Sequence, residues 1–150
     1  LIEGLDADEQ RAWHGLMAVF LLGIPQVERT FRAHGLVHIE YGFLCSLESA
    51  PKRLSDLAAT SNVSISRLSH RIGKLVERGY VRLRPDEHDG RATVAELTDT
   101  GRALIAEIAP AHAKALREVL FDHLTRDQVN ALAEAMQTVG ANLGACLDPT

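Results

Sequence analysis

One stretch of this chain breaks step with the rest. From Tyr80 to Arg84 the residues run Tyr-Val-Arg-Leu-Arg, alternating apolar and basic with the period of two that a half-buried strand requires. Elsewhere apolar residues mostly recur at three- and four-residue steps, the period of a helix. Pro85 to Gly90 supplies turn chemistry, and a return strand from Arg91 to Leu97 stops at Thr98, a good cap for a following helix. The hairpin tip presents Arg84, His88 and Arg91 around Asp86, Glu87 and Asp89.

Two short helical patterns precede this hairpin. Ser55 stands before an apolar pair, Leu57 and Ala58, as an expected N-cap. Ser61-Asn62 then breaks the pattern, because both side chains bond readily to local backbone. Ser64 is placed to cap a second helix in which Ile65, Leu68, Ile72, Leu75 and Val76 form the buried face. The opposite face carries Ser66, Arg67, His70, Arg71 and Lys74, and Arg78-Gly79 ends the helix. Two short helices, a tight turn and a hairpin with a charged tip make a winged helix-turn-helix, a shape that lies on duplex DNA.

The distribution of charge agrees with this, although the total does not advertise it. The chain carries a net charge of −4. Residues 51–95 hold nine Lys or Arg against five acids, a net +4, which leaves −8 for the remainder. A basic lobe on an acidic body is the footprint expected of a protein that docks on phosphates through one face. The bland reading, a solvated helix face with incidental arginines, has the caps, turn and wing against it.

The flanks are helical. Asp6 and Glu9 stand at capping-box spacing, and Trp13, Leu16, Met17, Phe20, Leu21, Ile24, Val27 and Phe31 follow as a stripe. Gly23 and Pro25 predict a kink or break near Leu22 to Ile24. Val37 to Ser49 reads as a second apolar helix, with Ile39, Phe43, Leu44 and Leu47 inward. After the wing, Thr98 to His123 is one long helix with Leu104, Ile108, Ala111, Ala115 and Val119 on one face, bent by Pro110. Thr125 caps a last helix striped with Val129, Leu132, Met136, Val139 and Leu143. This is more apolar surface than a winged lobe needs, and a second copy of the chain explains it best, since symmetric dimers are the commonest oligomers and two-fold proteins read two-fold sites.

Asp89-Gly90-Arg91 followed by Leu97-Thr98 and Gly101 resembles the D-x-R…L-T-x-x-G signature of the MarR (multiple antibiotic resistance regulator) family. The segments L-S-D-L-A and S-x-S-R-L-S-H-R-I-x-K-L-V-E-R-G-Y-V match that family's paired helices, and the element order matches over nearly the whole chain. The resemblance implies a mainly α fold with a small β-hairpin wing. Residues 1–150 then form one domain, with 1–50 and 102–150 as a helical dimerisation region and 51–101 as the DNA-binding lobe. It also implies the first and last two helices interlocked with those of a second subunit, and Arg91 in the minor groove.

The expected DNA-binding residues follow. Arg67, His70 and Arg71 are placed to read bases in the major groove, with Ser64, Ser66 and Lys74 on phosphates. Arg84, His88 and Arg91 belong to the wing, and Asp89 is expected to hold an arginine there or simply to pin the turn. The family also implies an effector site between the first two helices, the long helix and the lobe, for which Trp13, Met17, Phe20, His38 and Tyr41 are candidates. Each of these five also reads as plain core packing.

Other classes of function find less support. No G-x-S-x-G, G-x-G-x-x-G, P-loop or H-E-x-x-H pattern occurs, and no cofactor or metal is expected. A metal-sensing variant would rest on His34, His38, Glu40 and His112, an oxidant-sensing one on Cys45 or Cys146, and a protein-interaction module on loss of the basic face. Both cysteines read as inert. The apolar run from Leu16 to Ile24 is too short to span a bilayer, no cleavable signal pattern is evident, and two distant cysteines suit a reducing cytoplasm.

Overall fold

A computed structural model describes residues 2–144. Asp6 caps α1 (Ala7–Ala18) in a full capping box, its carboxylate accepting from the Asp8 and Glu9 N–H groups while Glu9 accepts from Asp6. The break expected near Leu22 takes the form of a π-helical turn, Val19–Gly23, from which α2 (Ile24–Arg32) continues with Pro25 in its first turn. There the missing proline N–H costs least. α3 (His38–Ser46) is shorter at both ends than the pattern suggested.

A two-residue strand, β1 (Lys52–Arg53), leads directly into α4 (Leu54–Thr60). Two features here differ from what the sequence predicts. Arg53, in extended conformation, is the N-cap and Ser55 lies inside the helix. The wing is three-stranded, because β1 pairs antiparallel with β3 (Thr93–Leu97), which also pairs with β2 (Val81–Pro85) in the order β1-β3-β2. The helix-turn-helix turns at Asn62, whose φ of +51° is tolerated by a short polar side chain. Ser64 then caps α5 (Ile65–Glu77) by accepting from the Arg67 N–H.

Thr98 caps α6 (Asp99–Val119), which runs unbroken through Pro110. A short 3-10 turn, Phe121–His123, reverses the chain, and Thr125 and Gln128 form the capping box of α7 (Arg126–Asn142).

The core sits where α2, α3 and the first half of α6 meet the lobe. Val27, Phe31, Leu36, Phe43, Leu44, Leu47, Leu57, Leu68, Ile72, Leu75 and Ile108 are closed to solvent. Ile105 joins them from α6, whereas Ala111, expected inward, is exposed. Ile65 is also corrected: it opens α5 beyond the reach of the core and stands 57% exposed. By contrast α1 and α7 contribute no buried residue at all. Trp13 and Leu16 on α1, Phe20, Leu21 and Leu22 on the π-helical turn that continues it, Met136 and Val139 on α7, and Leu143 at its C-cap face solvent in the single chain.

Candidate nucleic-acid interface

Helix α5 owes its orientation to its own amphipathicity. Leu68, Ile72 and Leu75 are buried, so Ser66, Arg67, His70 and Lys74 stand exposed on the other side. Ile65 extends that exposed surface with an apolar group, a feature hidden from the sequence reading by its helical spacing. At the far end Arg78 donates to the carbonyls of Gly35 (2.9 Å) and His34 (2.6 Å) and lies 4.9 Å from the Tyr80 ring centroid. It thereby fastens the end of α5 to the loop after α2.

Gly79 at φ +78° turns the chain out of α5 into β2. The Leu97-Thr98…Gly101 spacing then has a physical explanation. Thr98 Oγ1 donates to the Gly79 carbonyl at 2.6 Å and accepts from Gly101 N–H at 3.1 Å, while Thr98 N–H donates to the Tyr80 carbonyl. A Cβ on Gly101 would overlap that same Tyr80 oxygen and stand 2.6 Å from Leu97 Cδ1. Only glycine lets α6 approach the junction of α5 and β2 this closely.

The wing tip is built on two aspartates. Asp86 Oδ1 accepts from the N–H groups of His88 and Asp89, and its Oδ2 accepts from Arg53 Nε at 2.9 Å. The Arg53 hydrogen bond, with the two backbone ones, holds the Asp86 carboxyl down at about 2. Asp89 Oδ1 accepts from the backbone N–H of Arg91 at 3.1 Å. Asp89 therefore secures the turn through the main chain of Arg91, and the carboxylate that grips a guanidinium is Asp86, with Arg53 of β1. Arg82 and Arg84 converge on Glu96 at 2.7 Å and 3.5 Å and hold its carboxyl below the usual range. A cleft of about 370 Å³ lies between β1, the start of α4 and the wing turn, lined by Lys52, Arg53, Asp56, Arg84, Asp86 and His88 among others.

Apart from Lys52, which is half-buried, and Arg78, which is held by backbone carbonyls, the basic residues of the lobe divide into two groups. Arg53, Arg71, Arg82 and Arg84 are each tied to a carboxylate. Arg67 and Lys74 on α5 and Arg91 on the wing are exposed and have no carboxylate partner among the described residues. His70 and His88 are exposed beside them. Arg71, expected among the base readers, directs Nη1 to Glu40 of α3 at 3.2 Å.

The residues expected to meet an effector are only partly brought together. Tyr41 stacks on Phe31 with ring centroids 4.5 Å apart, His38 meets the same ring edge-on at 5.4 Å, and His112 of α6 lies 5.0 Å from Phe31 and 5.3 Å from Tyr41. His112 was missed as a member of this cluster because it is 71 residues from Tyr41 in a different helix. Its Nδ1 is buried without a hydrogen-bond partner among the described residues, and burial lowers its pKa. Trp13 and Phe20 are exposed and Met17 is half-buried, all on the first helical segment.

The sensor variants have specific geometries too. His34 Nδ1 is 3.7 Å from Glu107 Oε1, and no three potential metal ligands converge among the described residues. Burial raises the Cys45 thiol, which keeps it protonated, and Cys146 lies outside the described residues. No helix among the described residues is long and apolar enough to cross a membrane.

Known proteins share this arrangement. A family model for a winged helix DNA-binding domain matches residues 43–101. The chain is 29% identical over 120 residues to the HTH-type transcriptional regulator PecS of Dickeya dadantii, a match covering 77% of this chain and 72% of PecS. The crystal structure of AbsC, a MarR family transcriptional regulator from Streptomyces coelicolor, superposes with a TM-score of 0.84 at 30% identity, covering 95% of this chain and 98% of AbsC. That of Sco3205, a MarR family regulator of the same organism solved in complex with DNA, gives 0.84 at 32% identity, covering 98% and 96%. With two MarR family regulators matching its fold at 30% identity or more over almost its full length, the chain belongs to the MarR family of transcriptional regulators.

Proposed function

We propose that this winged-helix regulator works in the cytoplasm as a homodimeric, ligand-responsive repressor on a pseudo-palindromic operator. The observation that carries the reading is the division of the lobe's cations. Arg67 and Lys74 on the recognition helix and Arg91 on the wing are exposed and unpartnered among the described residues, and so are placed to meet phosphates and bases, while the other wing arginines are consumed in holding the lobe's shape. Arg67 and His70 read base edges, Ser64, Ser66 and Lys74 take phosphates, and Ile65 offers an apolar contact to thymine methyl groups. Arg91 enters the minor groove, and Arg84, His88 and Asp89 keep the wing in the shape that delivers it.

Two further features support the rest of the reading. The uncovered apolar faces of α1 and α7 suit a second subunit, which would set two recognition helices on successive major grooves. An effector lodged against Trp13, Met17, Phe20, His38 and Tyr41 would act by binding one lobe spacing better than the other. Sco3205, at 32% identity, was solved in complex with DNA, which supports the same use of the lobe here.

Footprinting on the DNA flanking the protein's own coding region, with and without candidate small molecules, tests this. A protected site with two-fold symmetry, released by one of the compounds, is the expected result. Absence of any protected duplex over a range of salt concentrations would remove the reading.

A further inference from the structure

Arg71 lies on the half-buried margin of α5, between the exposed face and the core. Its Nη1 meets Oε1 of Glu40, a carboxylate only 5% exposed, in α3. The other oxygen of Glu40 is also engaged: Oε2 accepts from Val37 N–H at 3.1 Å and so caps the start of α3. One buried carboxylate therefore fixes the first turn of α3 and holds the middle of the recognition helix at once. A carboxylate buried without its cation is strongly destabilising, so an Arg71 that swung out to a base would leave Glu40 unpaired. The same α3 presents Tyr41 to the Phe31–His112 cluster, so the pair joins the recognition helix to the helix that carries that cluster.

We infer that Arg71 and Glu40 are positioning residues for DNA binding: Arg71 is a strut that sets the angle of the recognition helix against α3, and it does not read sequence. The inference rests on the proposed DNA-binding role of the lobe. Base reading on α5 then falls to Arg67 and His70, further out on the helix. A strut acts on every DNA sequence alike, whereas a base contact acts on one position and a phosphate contact adds to the number of counterions released.

The test uses duplexes selected by the full-length wild-type protein from a randomised 30-base-pair pool, in the absence of effector. If the wild type selects nothing, the DNA-binding reading fails, and that outcome is distinct from failure of the strut. Given a selected duplex, Arg71→Gln, Glu40→Gln and the double variant are compared by affinity, by the slope of affinity against salt, and by reselection. The strut predicts losses of about tenfold for each single variant and no further loss in the double, because both break one interaction. It also predicts an unchanged salt slope and an unchanged selected sequence. Additive losses, wild-type binding by Glu40→Gln or by Arg71→Gln, a salt slope smaller by about one, or a new preference at one base pair overturns it. Should Glu40→Gln fail to fold, Arg71→Lys against Arg71→Met decides. Retained affinity with Lys and a sequence-independent loss with Met, at the wild-type salt slope, supports the strut, and any other pattern refutes it.

Discussion

Arg53 and Asp86 are 33 residues apart and joined by a 2.9 Å hydrogen bond that ties the short edge strand to the tip of the wing. Arg53 also caps α4, so one residue links the first helix of the helix-turn-helix to the hairpin turn. Arg53→Ala is expected to leave the fold intact and to raise amide exchange at residues 86–92, measured by hydrogen–deuterium exchange. Affinity for DNA should fall with it, since Arg91 is carried on that turn.

The same pair has a pH signature. Asp86 titrates at about 2 in the folded chain, below the ordinary value of 3.8. Its contribution is therefore fully present above about 4 and is lost as pH falls through 2. NMR titration of the Asp86 carboxyl should show the low value, and Arg53→Ala should return it toward 3.8.

His112 predicts acid sensitivity in a different window. Burial lowers its pKa below the ordinary 6.5, so the folded chain holds it neutral while the unfolded chain takes up a proton first. Stability is complete above about 6.5 and declines as pH falls from there toward the folded-state value. Thermal melts between pH 5 and 8 should show this slope, and His112→Phe should flatten it. His38, whose charge also depresses the His112 pKa, faces the same Phe31 ring, so His38→Gln should make the decline shallower.

Gly101→Ala should destabilise the chain by roughly 1–3 kcal/mol in urea unfolding, the usual cost of forcing a methyl group into a filled site. The clash is with the Tyr80 carbonyl, which is fixed by the Thr98 N–H and cannot turn aside. A change below a few tenths of a kcal/mol would mean that α6 can back away from the lobe.

Arg91→Ala should weaken binding to a selected duplex while leaving melting temperature and sedimentation unchanged, because its side chain has no partner among the described residues. Unchanged affinity at matched salt would take Arg91 out of the interface.

What was legible in the sequence was local. Asp6, Ser64, Thr98 and Thr125 declare their helices because a cap and its target N–H are two or three residues apart. What was hidden depends on distant partners. Two residues of β1 have no period to detect, so Ser55 took the cap that belongs to Arg53. Arg71 has the spacing of a base reader, and only the fold brings Glu40 beside it. The stripe on α1 and the turn after it is plain in the sequence, yet Trp13, Leu16 and Phe20 stay uncovered in the single chain, because periodicity marks an apolar face without saying what covers it.

The close seat of Gly101 against Tyr80 has a mechanical consequence. The end of α5, the start of β2 and the first turn of α6 share one tight junction, so the lobe has no hinge of its own there. At 1.5 Å per residue the 21 residues of α6 make a lever about 31 Å long, and a tilt of roughly 5° shifts one end relative to the other by about 2.7 Å. A disturbance at the remote end of that lever therefore reaches the DNA side as a swing of helix and finger together, their mutual spacing preserved.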